Sequence, residues 1–228
     1  MSVTVQSVID RVQSVLQDTT GVRWPVTSEL VLWVNDAQRE VALLKPDASA
    51  VNTTVTLITG TKQEIPSAGN RLLKVVRNMS AASSGTGARA VRLVDLSVLD
   101  SQSPSWHDPN VTGDAAHTNI VKHYAYEESN PRNFYVYPGV SGNSYVELIY
   151  SANPPTVTLS DNLSIPDIFA NAIMNYVLYM AYMKDAEFAS NQQRASSHFQ
   201  LFTASVTGKG QIDAISNPNL ERRAPMGA

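Results

Sequence analysis

One stretch limits what this chain can fold into: Ile168 to Met183, IFANAIMNYVLYMAYM, where only Asn171 and Asn175 interrupt apolar and aromatic residues. Phe169, Ile173, Tyr176, Val177 and Met180 recur at helical spacing. The opposite side, with Ile168, Ala172, Tyr179 and Met183, is nearly as apolar. A helix that is hydrophobic all round must be covered all round, by its own domain, by a membrane or by other subunits. The run falls short of the roughly 20 residues that span a bilayer, and Asn and Tyr side chains sit inside it. It therefore reads as a buried scaffold helix, with part of its cover supplied by another copy of the chain. Phe169, Ile173, Tyr176, Tyr179 and Met183 are the expected subunit-packing residues.

Upstream of that helix the apolar period changes twice. Val5, Val8, Ile9, Val12, Val15 and Leu16 form a helical stripe within Val3 to Leu16, ended by Asp18-Thr19-Thr20-Gly21. Trp24-Pro25 makes a rigid corner. Thr27, or Ser28 as a second choice, is the expected N-cap of a second helix running to about Lys45, with Leu30, Trp33, Val34, Ala37, Val41 and Leu44 on its apolar side. These two helices are expected to form an antiparallel hairpin on the central one. From Val51 the period drops to two: a strand, a turn at Gly60-Thr61-Lys62 and a returning strand through Gln63 to Pro66. Further strands are expected at Leu72 to Arg77, Arg89 to Leu96, Ile120 to Tyr126, Asn133 to Tyr137 and Tyr145 to Tyr150, with Leu99 to Asn110 irregular. After the central helix, Ala189 to Thr207 reads as a last helix. Gly208-Lys209-Gly210 is expected to break it, leaving an extended tail from Gln211.

Helices lie at both ends of the sequence and strands in the middle. The economical architecture is α+β: a helical bundle from both termini with an inserted antiparallel β-sandwich or barrel-like domain and an extended C-terminal tail. The expected boundaries are 1–48 and 161–207 for the two halves of the bundle, 49–160 for the β domain and 208–228 for the tail.

Composition narrows the function. A net charge of −3 offers no large basic excess for nucleic-acid phosphates. Only 16% of residues are charged, which suits a surface largely taken up by contacts. The absence of cysteine removes disulfide frameworks, thiolate metal sites and Cys nucleophiles together. The N-terminus lacks a basic region followed by an apolar core, so no signal peptide is expected, and the Asn-x-Ser/Thr triplets at Asn52, Asn78, Asn110 and Asn162 are read as chance matches.

Chemistry-bearing patterns are sparse. Asp114, His117 and His123 form the one loose cluster, at a spacing that matches no metal-ligand pattern. There is no Gly-x-Ser-x-Gly elbow and no His-Glu-x-x-His. Glu127-Glu128, adjacent in sequence, reads as a solvated turn rather than an acid/base couple. Tyr124, Tyr126, Phe134, Tyr135, Tyr137, Tyr145 and Tyr150 suggest either a sugar-binding platform or sheet core and cross-strand pairs. No enzyme activity, cofactor or metal is expected.

Three segments together resemble the head–tail adaptor proteins of tailed bacteriophages, broadly the tubular adaptor of short-tailed phages. The first is Trp24-Pro25, Thr27, Glu29-Leu30, Trp33 and Asn35 through Glu40. The second runs through His123-Tyr124, Tyr126-Glu127, Pro131, Phe134 to Pro138, Val146 to Leu148, Tyr150-Ser151 and Pro154. The third is Ile165-Pro166-Asp167, followed by the long helix and a second helix ending in Phe199 and Phe202. The resemblance implies a virion protein at the head–tail junction, made in a bacterial host cytoplasm. It implies a ring, usually of twelve copies, beneath the portal protein, with the helical bundle toward the portal and the β domain toward the next tail or nozzle component. DNA would pass through the central channel without specific binding, and no membrane is involved. The tail from Gln211, at most about 60 Å when extended, would reach the portal, with Leu220, Arg222 and Arg223 as its portal-binding anchors. The competing reading is a receptor- or glycan-binding tail component that uses the aromatic β domain.

Overall fold

A computed structural model describes residues 2–83 and 85–215 of the chain. In chain order the helices are α1 (Val5–Leu16), α2 (Val31–Leu44), α3 (Leu96–Gln102), α4 (Ala170–Lys184) and α5 (Ala189–Ile215). The strands are β1 (Ala50–Leu57), β2 (Gly60–Glu64), β3 (Gly69–Met79), β4 (Gly87–Ala90), β5 (Arg92–Leu93), β6 (His123–Tyr126), β7 (Asn133–Val140) and β8 (Ser144–Ala152). The protein is α+β and divides into two compact units: Met1–Ala48 with Pro154–Ala228, and Ser49–Asn153.

In the first unit, α1 begins where the Thr4 hydroxyl accepts the Ser7 N–H and ends where Gln17 turns left-handed, at φ 55°. Its stripe Val5, Val8, Ile9 and Val12 is buried. α1 and α2 both pack on α4 and touch each other little, so they are two separate props rather than the expected hairpin. The expected cap at Thr27 is not used. The chain leaves Pro25 as a π-helical turn over Val26–Leu30, in which the Pro25 carbonyl accepts both the Glu29 and Leu30 N–H groups, and α2 continues from it without a side-chain cap. The residues just before α4 pair with the N-terminus: Leu163 N–H donates to Val3 O, and Val5 N–H to Asp161 O. Both ends of the sequence thus share one core, running from Val5 through Leu30 and Val34 to Ile173, Val177 and Phe202.

α5 runs through Gly208-Lys209-Gly210 to Ile215, so the expected break does not occur there. Each glycine costs a helix only about 1 kcal/mol relative to Ala, and one residue added to an existing helix needs no new nucleus. Residues 216–228, with Leu220, Arg222 and Arg223, lie outside the described residues.

The second unit holds two four-stranded sheets, ordered β1-β8-β3-β4 and β2-β7-β6-β5. Neither closes into a barrel. Both contribute to one core, with Leu72, Val75, Val146 and Leu148 from the first and Tyr124, Phe134 and Val136 from the second. The chain changes sheet four times, between β1 and β2, β2 and β3, β4 and β5, and β7 and β8. The expected hairpin across Gly60 is a crossing: β1 pairs with β8 and β2 with β7. Gln63 closes that crossing, its Oε1 accepting the Ile58 N–H at 2.8 Å and its Nε2 donating to the Ile58 carbonyl at 2.8 Å. The step from β7 to β8 likewise changes sheet. Along β3 the register against β8 shifts three times. Its inward residues, Leu72, Val75 and Asn78, therefore recur every third position rather than every second.

The single strand expected from Arg89 to Leu96 is split. β4 and β5 sit at the edges of different sheets, and α3 follows, starting where the Asp95 carboxylate accepts the Ser97 N–H. α3 occupies part of the segment expected to be irregular. The strand expected from Ile120 begins only at His123 because Val121 is spent on a side chain. Asn78 accepts the Val121 N–H at 2.8 Å and donates to the Val121 and Arg89 carbonyls at 2.8 and 2.9 Å. A buried amide side chain here stands in for a neighbouring strand.

Candidate assembly surfaces

The position of α4 is set from three directions. The loop between α1 and α2 is folded around Asp18, whose carboxylate accepts the N–H groups of Val22, Arg23 and Trp24. These bonds, that of Trp24 foremost, hold the Asp18 carboxyl below the usual carboxylate range. The loop delivers the Trp24 indole N–H to the Ala181 carbonyl near the C-terminal end of α4, at 3.3 Å. At the same end Lys184 reaches both Glu29 oxygens at 2.7 Å, and Arg23 meets Asp185 at 2.8 Å. Half-exposed pairs of this kind are each worth about 0–1 kcal/mol, so they orient more than they stabilise.

The segment leading into α4 is clamped to α2 by amides. Asn35 donates to the Val157 carbonyl at 3.0 Å and accepts the Val157 N–H at 2.8 Å. Gln38, fully buried, accepts the N–H and hydroxyl of Ser164, each at 2.7 Å, while its Nε2 is buried without a partner. Neither residue belongs to the apolar side of α2 that the sequence shows. The signal that could have separated them is their i, i+3 spacing beside Val34, Ala37 and Val41.

α4 and α5 run antiparallel, joined by a ladder of rings. Tyr176 meets Phe202 at 5.1 Å, Tyr179 meets Phe199 at 5.0 Å, and Tyr182 stacks on His198 at 5.6 Å and 11°. Going forward on α4 from Tyr176 to Tyr179 to Tyr182 goes backward on α5 from Phe202 to Phe199 to His198, as an antiparallel pair requires. His198 Nδ1 lies 2.9 Å from Asn175 Oδ1. Asn175 donates its own amide to the Asn171 carbonyl, so Oδ1 is the acceptor and Nδ1 carries the proton. Burial pushes the imidazole pKa down, which keeps the ring neutral.

The five residues expected to pack subunits divide in this arrangement. Phe169 and Ile173 are buried in the chain's own core, Tyr176 and Tyr179 are half-buried in the ring ladder, and Met183 is 44% exposed. Cover for α4 thus comes mainly from α1, α2 and α5. Several apolar side chains on and beside α4 and α5 stay exposed, among them Met183, Phe188 at 59%, Phe199 at 45% and Leu201 at 53%. α2 adds Leu32 and Leu43, eleven residues apart on one helix face and both more than half exposed.

The other candidates do not assemble into a reactive group. Asp114 is exposed in a short turn. His117 lies flat on Gly139, where a Cβ would come within 2.5 Å of its Nε2. His123 sits in β6 beside Tyr137, its pKa lowered by burial and by Arg89, Arg92 and Lys122. Among the described residues no three His, Asp or Glu side chains are grouped to hold a metal ion. Of the aromatic set, Tyr124, Phe134 and Tyr150 are core, and Tyr135 and Tyr137 turn their edges to the buried Trp106 at 6.2 Å. None of the seven is exposed. No helix among the described residues is long and apolar enough to cross a membrane.

Compared with known proteins, the chain is matched over residues 3–223 by the family model described as SU10 adaptor protein. No curated protein matches it. The chain belongs to the SU10 adaptor protein family, consistent with a bacteriophage head–tail adaptor.

Proposed function

We propose that this member of the adaptor family is a structural virion protein: one subunit of a ring that joins the portal vertex to the tail and forms part of the DNA channel. The observation that carries the reading is the family match over nearly the whole chain. The apolar side chains left exposed along α4 and α5, Met183, Phe188, Phe199 and Leu201, are compatible with it.

In this reading the unit from both termini is a helical bundle that faces the portal and packs against neighbouring copies. The inserted unit is a β-sandwich, its two sheets face to face, directed at the next tail component. Twelve copies complete the ring, and residues 216–228 reach the portal through Leu220, Arg222 and Arg223. The protein is non-enzymatic and needs no cofactor.

The test is the mass distribution of the purified chain, alone and mixed with a portal ring, with negative-stain images of each peak. A ring, or a portal ring gaining about one copy per portal subunit, is the expected result. A monomer that ignores the portal would overturn the proposal. Two variants sharpen it. Met183→Asp should leave monomer stability within about 0.5 kcal/mol, as exposed sites do, while weakening assembly. A chain ending at Ile215 should fold normally and bind portal more weakly.

A further inference from the structure

Two guanidinium groups line a hollow of about 360 Å³ in the first unit. The C-terminal end of α1, the loop after it, the end of α4 and the first two turns of α5 form it, chiefly through Gln17, Arg23, Tyr182, Asp185, Asn191 and Arg194. Each guanidinium lies over a ring: Arg23 over Trp24 at 5.0 Å, Arg194 over Tyr182 at 5.7 Å. A ring occupies a face of the guanidinium and leaves free the N–H donors, which lie in its plane. The two arginines are not equivalent. Arg23 Nε meets Asp185 at 2.8 Å. Arg194 is exposed and, among the described residues, has no ion-pair partner. The lining thus carries two positive charges against one negative. The helix ends that meet here, two C-terminal and one N-terminal, add about half a negative charge. That leaves the hollow positive, in a chain whose net charge is −3. It also holds an unfilled acceptor, since Asp185 Oδ2 is buried without a hydrogen bond. Val15, 48% exposed, is part of the lining, and the Phe188 ring lies 5.9 Å from the Arg23 guanidinium.

We infer that this hollow anchors an acidic side chain, Asp or Glu, carried on a peptide segment of a protein partner. Arg194 holds the carboxylate fork to fork, because its charge is the one left unmatched. A backbone N–H of the same segment donates to Asp185 Oδ2, and an apolar neighbour rests on Val15. A nucleic-acid backbone fits less well. A phosphodiester offers no donor to Asp185, and its binding calls for a run of cations, where one free guanidinium stands here. Arginines set among aromatic rings are also the side chains that carry most of the binding energy in protein–protein contacts. The assignment goes beyond the adaptor reading and holds whether or not the chain forms a ring.

The test peptide is the capped dipeptide acetyl-Leu-Glu-amide, with acetyl-Leu-Gln-amide as its neutral counterpart. Each is titrated against the full-length chain and its Arg194→Gln variant by saturation-transfer NMR, which reads the peptide's own signals. Arg194 is exposed, so its replacement should leave the urea midpoint unchanged. Replacing Arg194, or the glutamate of the peptide, should each weaken binding about tenfold. The two losses should not add, because both delete the same contact. Arg194→Lys, which keeps the charge and loses the fork, should recover part of the affinity. A glutamyl peptide that does not bind, that binds wild type and Arg194→Gln alike, or whose losses add in full would overturn the inference. So would a duplex oligonucleotide that binds through Arg194 where the glutamyl peptide does not. Each of those outcomes leaves the adaptor reading intact.

Discussion

Replacing Asn35 with Ala removes the side chain that ties α2 to the segment leading into α4. Asn35 is 3% exposed and makes three hydrogen bonds: Nδ2 to the Val31 carbonyl at 2.9 Å, Nδ2 to the Val157 carbonyl at 3.0 Å, and Oδ1 from the Val157 N–H at 2.8 Å. Val31 lies one turn back within α2, so the lasting damage falls on Val157, itself 7% exposed. Each stranded buried group costs about 1–3 kcal/mol. Two of them, partly relieved by water entering the vacated space, give an expected loss of about 2–4 kcal/mol, a large share of the roughly 5–15 kcal/mol by which domains are stable. Asn35→Asp probes the same clamp with opposite chemistry. It keeps the acceptor for the Val157 N–H but points a second oxygen at two carbonyls. Its folded-state carboxyl pKa is therefore raised, so the variant should be weakest near neutral pH and regain stability on acidification, when an O–H donor forms. Urea titration by circular dichroism measures the loss, and hydrogen exchange of α2 and residues 154–164 locates it. Asn35→Ala within about 0.5 kcal/mol of wild type, or Asn35→Asp as stable as wild type at neutral pH, would refute this account of the clamp.

Three further outcomes are expected. Gly139→Ala puts a Cβ 2.5 Å from His117 Nε2 and should cost about 1–3 kcal/mol, with His117→Ala recovering part of it in a double-mutant cycle. Asp18 has a folded-state pKa below its ordinary 3.8, so its contribution is complete above that value and is lost as pH falls through the lower folded value. The advantage of wild type over Asp18→Asn in thermal melts should shrink over that acid window. His198 is a base with a depressed folded pKa: below its ordinary 6.5 the unfolded chain takes up the proton first, so stability falls as pH drops, until the folded imidazole also protonates. His198→Gln should flatten that part of the stability–pH curve, and an unchanged slope would show that another group controls it.

Residues with a strong period were legible before folding. The stripe of α1, the apolar run of α4 and the alternation of β7 and β8 (Phe134, Val136; Val146, Leu148) each follow from local chemistry, because each element must hide one face. β3 was legible as a strand but not in its facing, since its register shifts set the inward residues three apart. Arg89 to Leu96 looked like one strand because Val91 and Leu93 alternate. Its division between two sheets, followed by a helix, depends on the carbonyls of Val76, Lys122 and Tyr124, which accept the N–H groups of Val91, Arg92 and Val94 from far away in the chain. Thr27 was a sound cap by type and lost to Pro25, whose carbonyl geometry started the turn earlier.

The candidate surface shows the same division. Apolar content alone identified α4 as the helix that needs cover. Which residues stay open depended on the helices that arrive: α1, α2 and α5 bury Phe169, Ile173 and Val177 and leave Met183 and Phe199 exposed. Sequence by itself determined the α+β class, the helix-forming ends around a β middle, and the absence of cysteine chemistry. These follow from periodicity and composition, which are properties of neighbouring residues. Only the tertiary structure decided which strands pair and which amides serve as clamps. Those outcomes turn on residues brought together from distant parts of the chain, such as Asn35 with Val157 and Arg92 with His123, and no local pattern encodes such meetings.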